Sequence, residues 1–448
     1  MSPLGADRAI SLAEAAFAVD GADAIEVVIT ASNSALTRYA DSRIHQNTAR
    51  LDGEARIRAV VDGDRIGVVA TNDLSAESIR RAGTAAVEAA RVTPRDAAYA
   101  GLAQPATYAA AGTLDAATAS CSPAERAELV AAMLALLPSG VLGSGAVESA
   151  RIEVAVANTN GVRAYSDTTR AAASILAAGE SSTGFAETTT SRFSELHGES
   201  LAERAARKVE LGRNPRDVPP GHYPVVLEAA ATATLVEFLC WIAFGGRDFV
   251  DGRSPLAGRL GEQVCDPRVT IVDDALSPLL PGVAFDFEGV PKRRLPLIDH
   301  GIAAAVTHDL ATAKAAGVQP TGHGLPAPNP DGGYPLHPMM EPGESTLDDL
   351  IGGLARGLLV TRFHYTNVVN PMETSITGMT RDGTFLVEDG RIVGGVRNLR
   401  FTQSILAALS AVEAIGAQTE ASSELFFGCA RAPAVRLSNF QFTSTTTF

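Results

Sequence analysis

The sequence predicts an α+β fold with two domains: a hairpin-rich sheet with helices, then a β-rich unit built around one buried helix. Three observations carry this. Up to Leu211 the apolar periodicity switches between two and the helical value without regular strand–helix–strand alternation. Three prolines and a glycine then crowd into Asn214–Gly221 and break the chain. Beyond them lie short apolar runs separated by Pro/Gly segments, with a single long apolar stretch at Ala229–Phe244. The 448 residues are also too many for one ordinary core, so the domains are set at 1–218 and 219–448.

Each element has its own signal. The N-terminal segment reads as an amphipathic helix. Ala24–Thr30 is a buried strand, and Leu36–Ala49 reads as two further strands broken near Asp41-Ser42. Ala55, Ile57, Ala59 and Val61 alternate with Glu54, Arg56 and Arg58, the pattern of a half-buried strand. Asp62-Gly63 is a hairpin turn leading to a strand at Ile66–Ala70. A helix capped by Asp73 carries Ile79, Ala82, Ala86 and Ala90 on one face, and Thr93-Pro94 stops it. A helix at Pro123–Leu137, strands at Val147–Val156 and Val162–Ala178, and a helix at Leu201–Leu211 complete the first unit. In the second, Tyr223–Leu227 is a strand and Ala229–Phe244 a helix ended by Gly245-Gly246. Asp382-Gly383 and Asp389-Gly390 read as turns, Thr402–Ile415 as a helix, and Val435–Phe442 as a closing strand.

Composition excludes several classes. A net charge of −14 argues against nucleic-acid binding, which needs clustered Lys and Arg to displace counterions. There is no apolar run of about 18 residues to span a membrane and no signal-peptide pattern, which suits a cytoplasmic protein. The four cysteines are scattered, with no CxxC pair and no disulfide framework. No P-loop, dinucleotide fingerprint or GxSxG elbow is present.

The polar residues leave choices open. No two of the eight histidines share the one-turn spacing that puts a zinc pair on one helical face. Each reads first as a surface or hydrogen-bonded loop histidine. His323, in the polar loop Thr321-Gly322-His323-Gly324, is the best placed to touch a ligand. Asp273-Asp274, Asp286 and Glu288 are either an acid–base or cation-binding group, or a strand end followed by a structured turn. Most carboxylates are simply solvated, which favours the second. Cys429 reads first as a small buried residue.

Several pieces, in order, resemble the TldD/PmbA family. They are Ser254-Pro255-Leu256, Leu260-Gly261, Val272-Asp273-Asp274, Phe285-Asp286-Phe287-Glu288-Gly289-Val290, Asp299-His300-Gly301, Ala311-Thr312-Ala313 and Thr321-Gly322. Thr37-Arg38-Tyr39-Ala40, Ser42-Arg43-Ile44-His45-Gln46 and Thr71-Asn72-Asp73-Leu74-Ser75 extend the likeness into the first half. The resemblance implies a metallopeptidase context. TldD-type members carry HExxxH on the helix that opens the C-terminal domain, and a cysteine near the C-terminus completes the zinc ligands. Cys429 falls roughly there. The matching helix here, residues 228–246, holds Glu228, Glu237 and Cys240 but no histidine.

That departure points to the PmbA or TldE type. The resemblance then implies no catalytic residue and no metal or cofactor in this chain, and a heterodimer with an HExxxH-bearing TldD-like partner that holds the zinc. The pair would cleave small or unfolded peptides, with this chain shaping the chamber and binding peptide backbone by strand addition. Asp286, Glu288, Thr321, His323 and Asn370 are the residues expected to line it. Two rivals remain: a homodimeric hydrolase with a divergent metal site built from His300, His308, Cys429 or the carboxylates, and a peptide-binding module without peptidase activity.

Overall fold

The computed structural model describes residues 3–422 and 428–446. It is α+β, with two sheets. After helix α1 (Ala6–Glu14), strands β1 (Ala24–Ala40), β2 (Arg43–Val61) and β3 (Arg65–Thr71) form a meander. Helices α2 (Ala76–Val92), α3 (Ala116–Ala119) and α4 (Pro123–Ala135) follow. Strands β4 (Leu142–Asn158), β5 (Arg163–Ala178) and β6 (Thr183–Thr190), then helix α5 (Gly198–Leu211), close the first unit. Its six-stranded antiparallel sheet runs β3-β2-β1-β4-β5-β6.

The two strands expected from Leu36 to Ala49 are the halves of one long hairpin. Asp41 and Ser42 both take left-handed φ, 49° and 59°, and turn β1 tightly into β2. Asp62-Gly63 does the same for β2 and β3, as the dipeptide implies. Helix α2 is capped two residues later than expected. Ser75, not Asp73, accepts the Ser78 N–H, while Asp73 accepts the Ser75 N–H and shapes the approach. Strand β6 carried no clear periodicity and was not expected from the sequence.

The second unit contains β7 (Gly221–Leu227), α6 (Ala229–Ala243), α7 (Gly246–Val250), β8 (Ile271–Asp273), β9 (Leu295–Asp299), β10 (Ile302–Ala303), α8 (Leu310–Ala316), β11 (Pro338–Met340), α9 (Leu347–Gly352), β12 (Arg356–Asn370), β13 (Ser375–Glu388), β14 (Arg391–Gly395), β15 (Leu399–Ser404), α10 (Ile405–Ser410), β16 (Val412–Ser422) and β17 (Ala430–Thr445). Pairing of β17 with both β15 and β7 closes β7, β12, β13, β15 and β17 into a ring. Helix α6 packs against β17 and β12 and shares the largest core with them.

Helix α6 is buried along nearly its whole length, because its residues are apolar around the full circumference. Trp241 is the departure: it is 48% exposed. Gly245 and Gly246 do not form a left-handed stop, since Gly245 has ordinary φ and begins α7. The expected helix over Thr402–Ile415 is instead the end of β15, the short α10 and the start of β16. Ladder bonds from β15 to β13 fix Thr402 and Gln403 as strand, so tertiary pairing overrides local spacing. Of the two Asp-Gly pairs, Asp389-Gly390 turns β13 into β14. Asp382-Gly383 lies inside β13 as a bulge, with φ of 55° and 132°. Asp382 is buried there, accepting from Arg362 at 2.9 Å and from Thr183 of the first sheet at 2.8 Å.

The sheets are joined on two sides. On one, Val28, Val154, Val156 and Val162 pack against Ala284, Phe285 and Val290. On the other, helix α5 reaches across with the ion pairs Lys208–Glu228 (2.6 Å) and Arg204–Glu420 (2.8 Å).

Candidate functional site

Four of the five residues expected to contact substrate are brought together, and all four are buried. Asp286, Glu288, Thr321 and His323 are 2%, 7%, 6% and 1% exposed. Asn370 lies apart from them at the β12–β13 hairpin tip, where its side chain accepts the Met372 N–H.

Asp286 organises its own segment. One carboxylate oxygen accepts the Glu288 and Val290 N–H groups at 2.9 Å each, and the other accepts Gly324 N–H at 2.7 Å. Thus the loop Phe285–Val290 is pinned to the loop Thr321–Gly324. The approach requires glycine at 324, because a Cβ there would sit 2.8 Å from the Glu288 side chain.

His323 links this loop to strand β8. Its Nε2 lies 3.0 Å from Asp273 Oδ1, its Nδ1 lies 2.9 Å from Thr321 Oγ1, and Thr321 also accepts His308 N–H at 2.7 Å. Asp273 Oδ2 accepts the His337 backbone N–H at 2.7 Å. Burial lowers His323 despite Asp273 beside it, so a neutral ring donating from Nε2 to a carboxylate fits the geometry. Burial by itself would raise Asp273. His323, Lys292 and His337 outweigh it and hold this carboxyl below the usual range. Burial, with Lys292 next, pushes His337 down to about 4.

Lys292 was not singled out by the sequence. It is 7% exposed, and its Nζ has no hydrogen-bond partner among the described residues. Arg58 was read as part of a solvent face, yet its side chain is only 11% exposed, between the sheets. It pairs with Glu26 at 2.7 Å and reaches Glu288 at 3.4 Å. Burial works against the Arg58 charge, and Glu26 and Glu288 overcome it. No local signal marks Arg58, since strand alternation gives the face of a residue but not what covers it.

Burial raises both Asp286 and Glu288, and each opposes ionisation of the other. Asp286 accepts three backbone N–H groups, which favour its anion. Glu288 has one backbone donor, Leu310 at 2.8 Å, and a longer contact to an Arg58 already engaged by Glu26. Of the two, Glu288 is therefore the one whose protonated form is the more favoured.

A zinc ion does not fit the helix that opens this unit. Glu228 is held by Lys208, and Cys240 is 1% exposed with its thiol pushed well up by burial. Glu237 is buried one turn before Cys240, and α6 contains no imidazole. Cys429 is packed with Leu280 and Ala421, and burial raises its thiol to about 12. Among the described residues no three His, Cys, Asp or Glu side chains converge as a metal site. These residues do not supply the three-ligand constellation of a catalytic zinc.

A closed strand ring with a buried helix packed against it, coupled to a long-hairpin sheet, defines a two-sheet α+β fold. The chain belongs to the PmbA/TldD family: the models of the PmbA/TldA metallopeptidase C-terminal domain, central domain and domain 1 match residues 220–444, 118–212 and 25–90. It is similar to a metalloprotease of Methanothermobacter thermautotrophicus, 25% identical over 49% of this chain and 48% of that one. It is also similar to the metalloprotease TldD homolog of Haemophilus influenzae, 28% identical over 49% and 46%. The chain spans about half the length of the curated relatives it matches. In fold it is similar to TldE from Thermococcus kodakarensis, with a TM-score of 0.87, 22% identity, and coverage of 98% of this chain and 99% of that one. No helix among the described residues is long and apolar enough to cross a membrane.

Proposed function

We propose that this chain is the non-catalytic, TldE-like subunit of a heterodimeric cytoplasmic metallopeptidase that cleaves small or unfolded peptides. Its partner is an HExxxH-bearing TldD-like subunit, which carries the zinc. The observation behind this reading is helix α6, which opens the second unit and holds no histidine; the resemblance implies that TldD-type members carry theirs on that helix. Membership of a metallopeptidase family supports the chemistry of the pair. The similarity in fold to a TldE is consistent with the division of labour.

In this reading Asp286, Glu288, Thr321 and His323 shape the chamber wall from behind the surface. Their burial and mutual hydrogen bonds favour that over direct contact with peptide. Asn370, at a hairpin tip, is placed to meet peptide or partner.

The test is a peptidase assay of this chain alone, of a TldD-like subunit alone, and of the mixture, with elemental analysis of each. The chain alone should hold no stoichiometric zinc and cleave nothing. The mixture should form a stable complex whose cleavage is lost with chelator. Glu237→Gln should leave that cleavage nearly intact. Chelator-sensitive cleavage by this chain alone, abolished by Glu237→Gln, would show that a divergent active site lies here.

A further inference from the structure

Where helix α5 bridges to the second unit, the two do not pack tightly. Helix α5 and the second unit border a cavity of about 500 Å³, within the range of small-molecule sites. Its floor is apolar: Leu211, Ile351, Leu359, Phe385 and Ile392 belong to, or pack on, one small cluster separate from the main core. Its walls are charged and sorted by sign. Arg204, Arg207 and Lys208 project from one face of α5, at the spacing that shares a helical face. Glu228, Asp348 and Glu420 stand on the elements opposite.

Two of these cations are already used. Arg204 pairs with Glu420 and Lys208 with Glu228, so those four charges close the cavity. Arg207 and Asp348 remain at the rim, both exposed, and neither has an ion-pair partner among the described residues. One free cation and one free anion, from different units, above an apolar floor, form a dipolar site with no net charge. An apolar zwitterion complements it.

We propose that this cavity binds a short peptide with free termini and an apolar side chain, its carboxylate on Arg207, its ammonium on Asp348, and its side chain on the Leu359–Phe385 floor. The charge pattern asks only for an apolar zwitterion; choosing a peptide over another zwitterion rests on the peptidase reading above. Short peptides with free termini are what a peptidase releases. Glu228 is also the N-cap residue of α6, so occupancy would be felt at the helix that opens the second unit.

The probe is leucyl-leucine, titrated calorimetrically into this chain without a partner, beside N-acetyl-leucyl-leucine and leucyl-leucinamide. Saturable binding is expected, weakened about tenfold or more by blocking either terminus, the loss of one charge-assisted contact. Arg207→Glu should weaken leucyl-leucine by a similar factor and remove the preference for a free carboxylate. Asp348→Lys should do the same for the free amine. Both residues are exposed, and circular dichroism of each variant confirms that it folds. No saturable binding, or binding indifferent to both blocking groups and both substitutions, overturns the proposal. Cleavage by the heterodimer is a separate measurement, so the loss of one reading does not entail loss of the other.

Discussion

Replacing Asp286 by Asn removes one charge and one oxygen while keeping the shape. The remaining amide oxygen can still serve Glu288 and Val290, whose N–H groups share one carboxylate oxygen. The other position becomes an NH2 facing the Gly324 N–H, which now donates to it at 2.7 Å. That bond to an anion, worth about 1.5–3 kcal/mol, is lost, and a buried donor is left facing another donor. The two surviving bonds weaken as their acceptor loses its charge. Relief of the charge buried beside Glu288 offsets part of the sum, leaving an expected loss of about 2–3 kcal/mol. Asp286→Ala forfeits all three bonds and should cost more. The measurement is urea unfolding followed by fluorescence of Trp241, the single tryptophan, which reports on the second unit. An Asn variant as stable as wild type, or an Ala variant no worse than Asn, would refute the view that Asp286 ties the two loops.

Two further outcomes follow from the buried groups. Glu288 is an acid whose burial raises its pKa above the unfolded value, so its protonated form favours the folded state and stability falls as pH rises through that raised pKa. Urea midpoints taken from neutral to mildly alkaline pH should therefore decline in wild type and decline less in Glu288→Gln; identical slopes would remove Glu288 as the cause. For the thiols, Cys121 is half-buried while Cys240, Cys265 and Cys429 are buried, so a thiol reagent should modify Cys121 first and the other three only on unfolding. Native-state labelling of Cys240 at a rate matching Cys121, read by peptide mass mapping, would contradict the packing of α6.

The sequence made the local features legible where a single physical demand decided them. Asp62-Gly63 and Asp41-Ser42 turn because both positions need positive φ, and α6 is buried because it offers no polar face. It failed where distant partners decide. Asp382-Gly383 has the chemistry of a turn, yet Arg362 and Thr183 claim the Asp382 side chain and leave a bulge in a continuing strand. Thr402–Ile415 spaces its apolar residues helically, and the ladder of β13 overrules it. At the candidate site, the family-like segments marked Asp286, Glu288, Thr321 and His323. Lys292 and Arg58 were hidden, because a charged residue in a turn or on an alternating strand looks solvated until another element covers it.

The two sides of the junction between the sheets differ in kind. At the Phe285–Val290 side, valines interlock with Ala284 and Phe285, and the polar groups are dry and mutually bonded. Such contact resists sliding, since each displaced group would leave a buried donor or charge unmet. At the α5 side the contact consists of ion pairs around open space, with Arg204 and Glu420 each more than a third exposed. Pairs of that exposure contribute about 0–1 kcal/mol and rearrange at little cost. Arg204–Glu420 is therefore the easier of the two pairs to rearrange, while Lys208–Glu228, with side chains only 9% and 13% exposed, holds the start of α6. A group that fills the space beside this pair would press on the start of α6, which couples the cavity to the helix that opens the second unit.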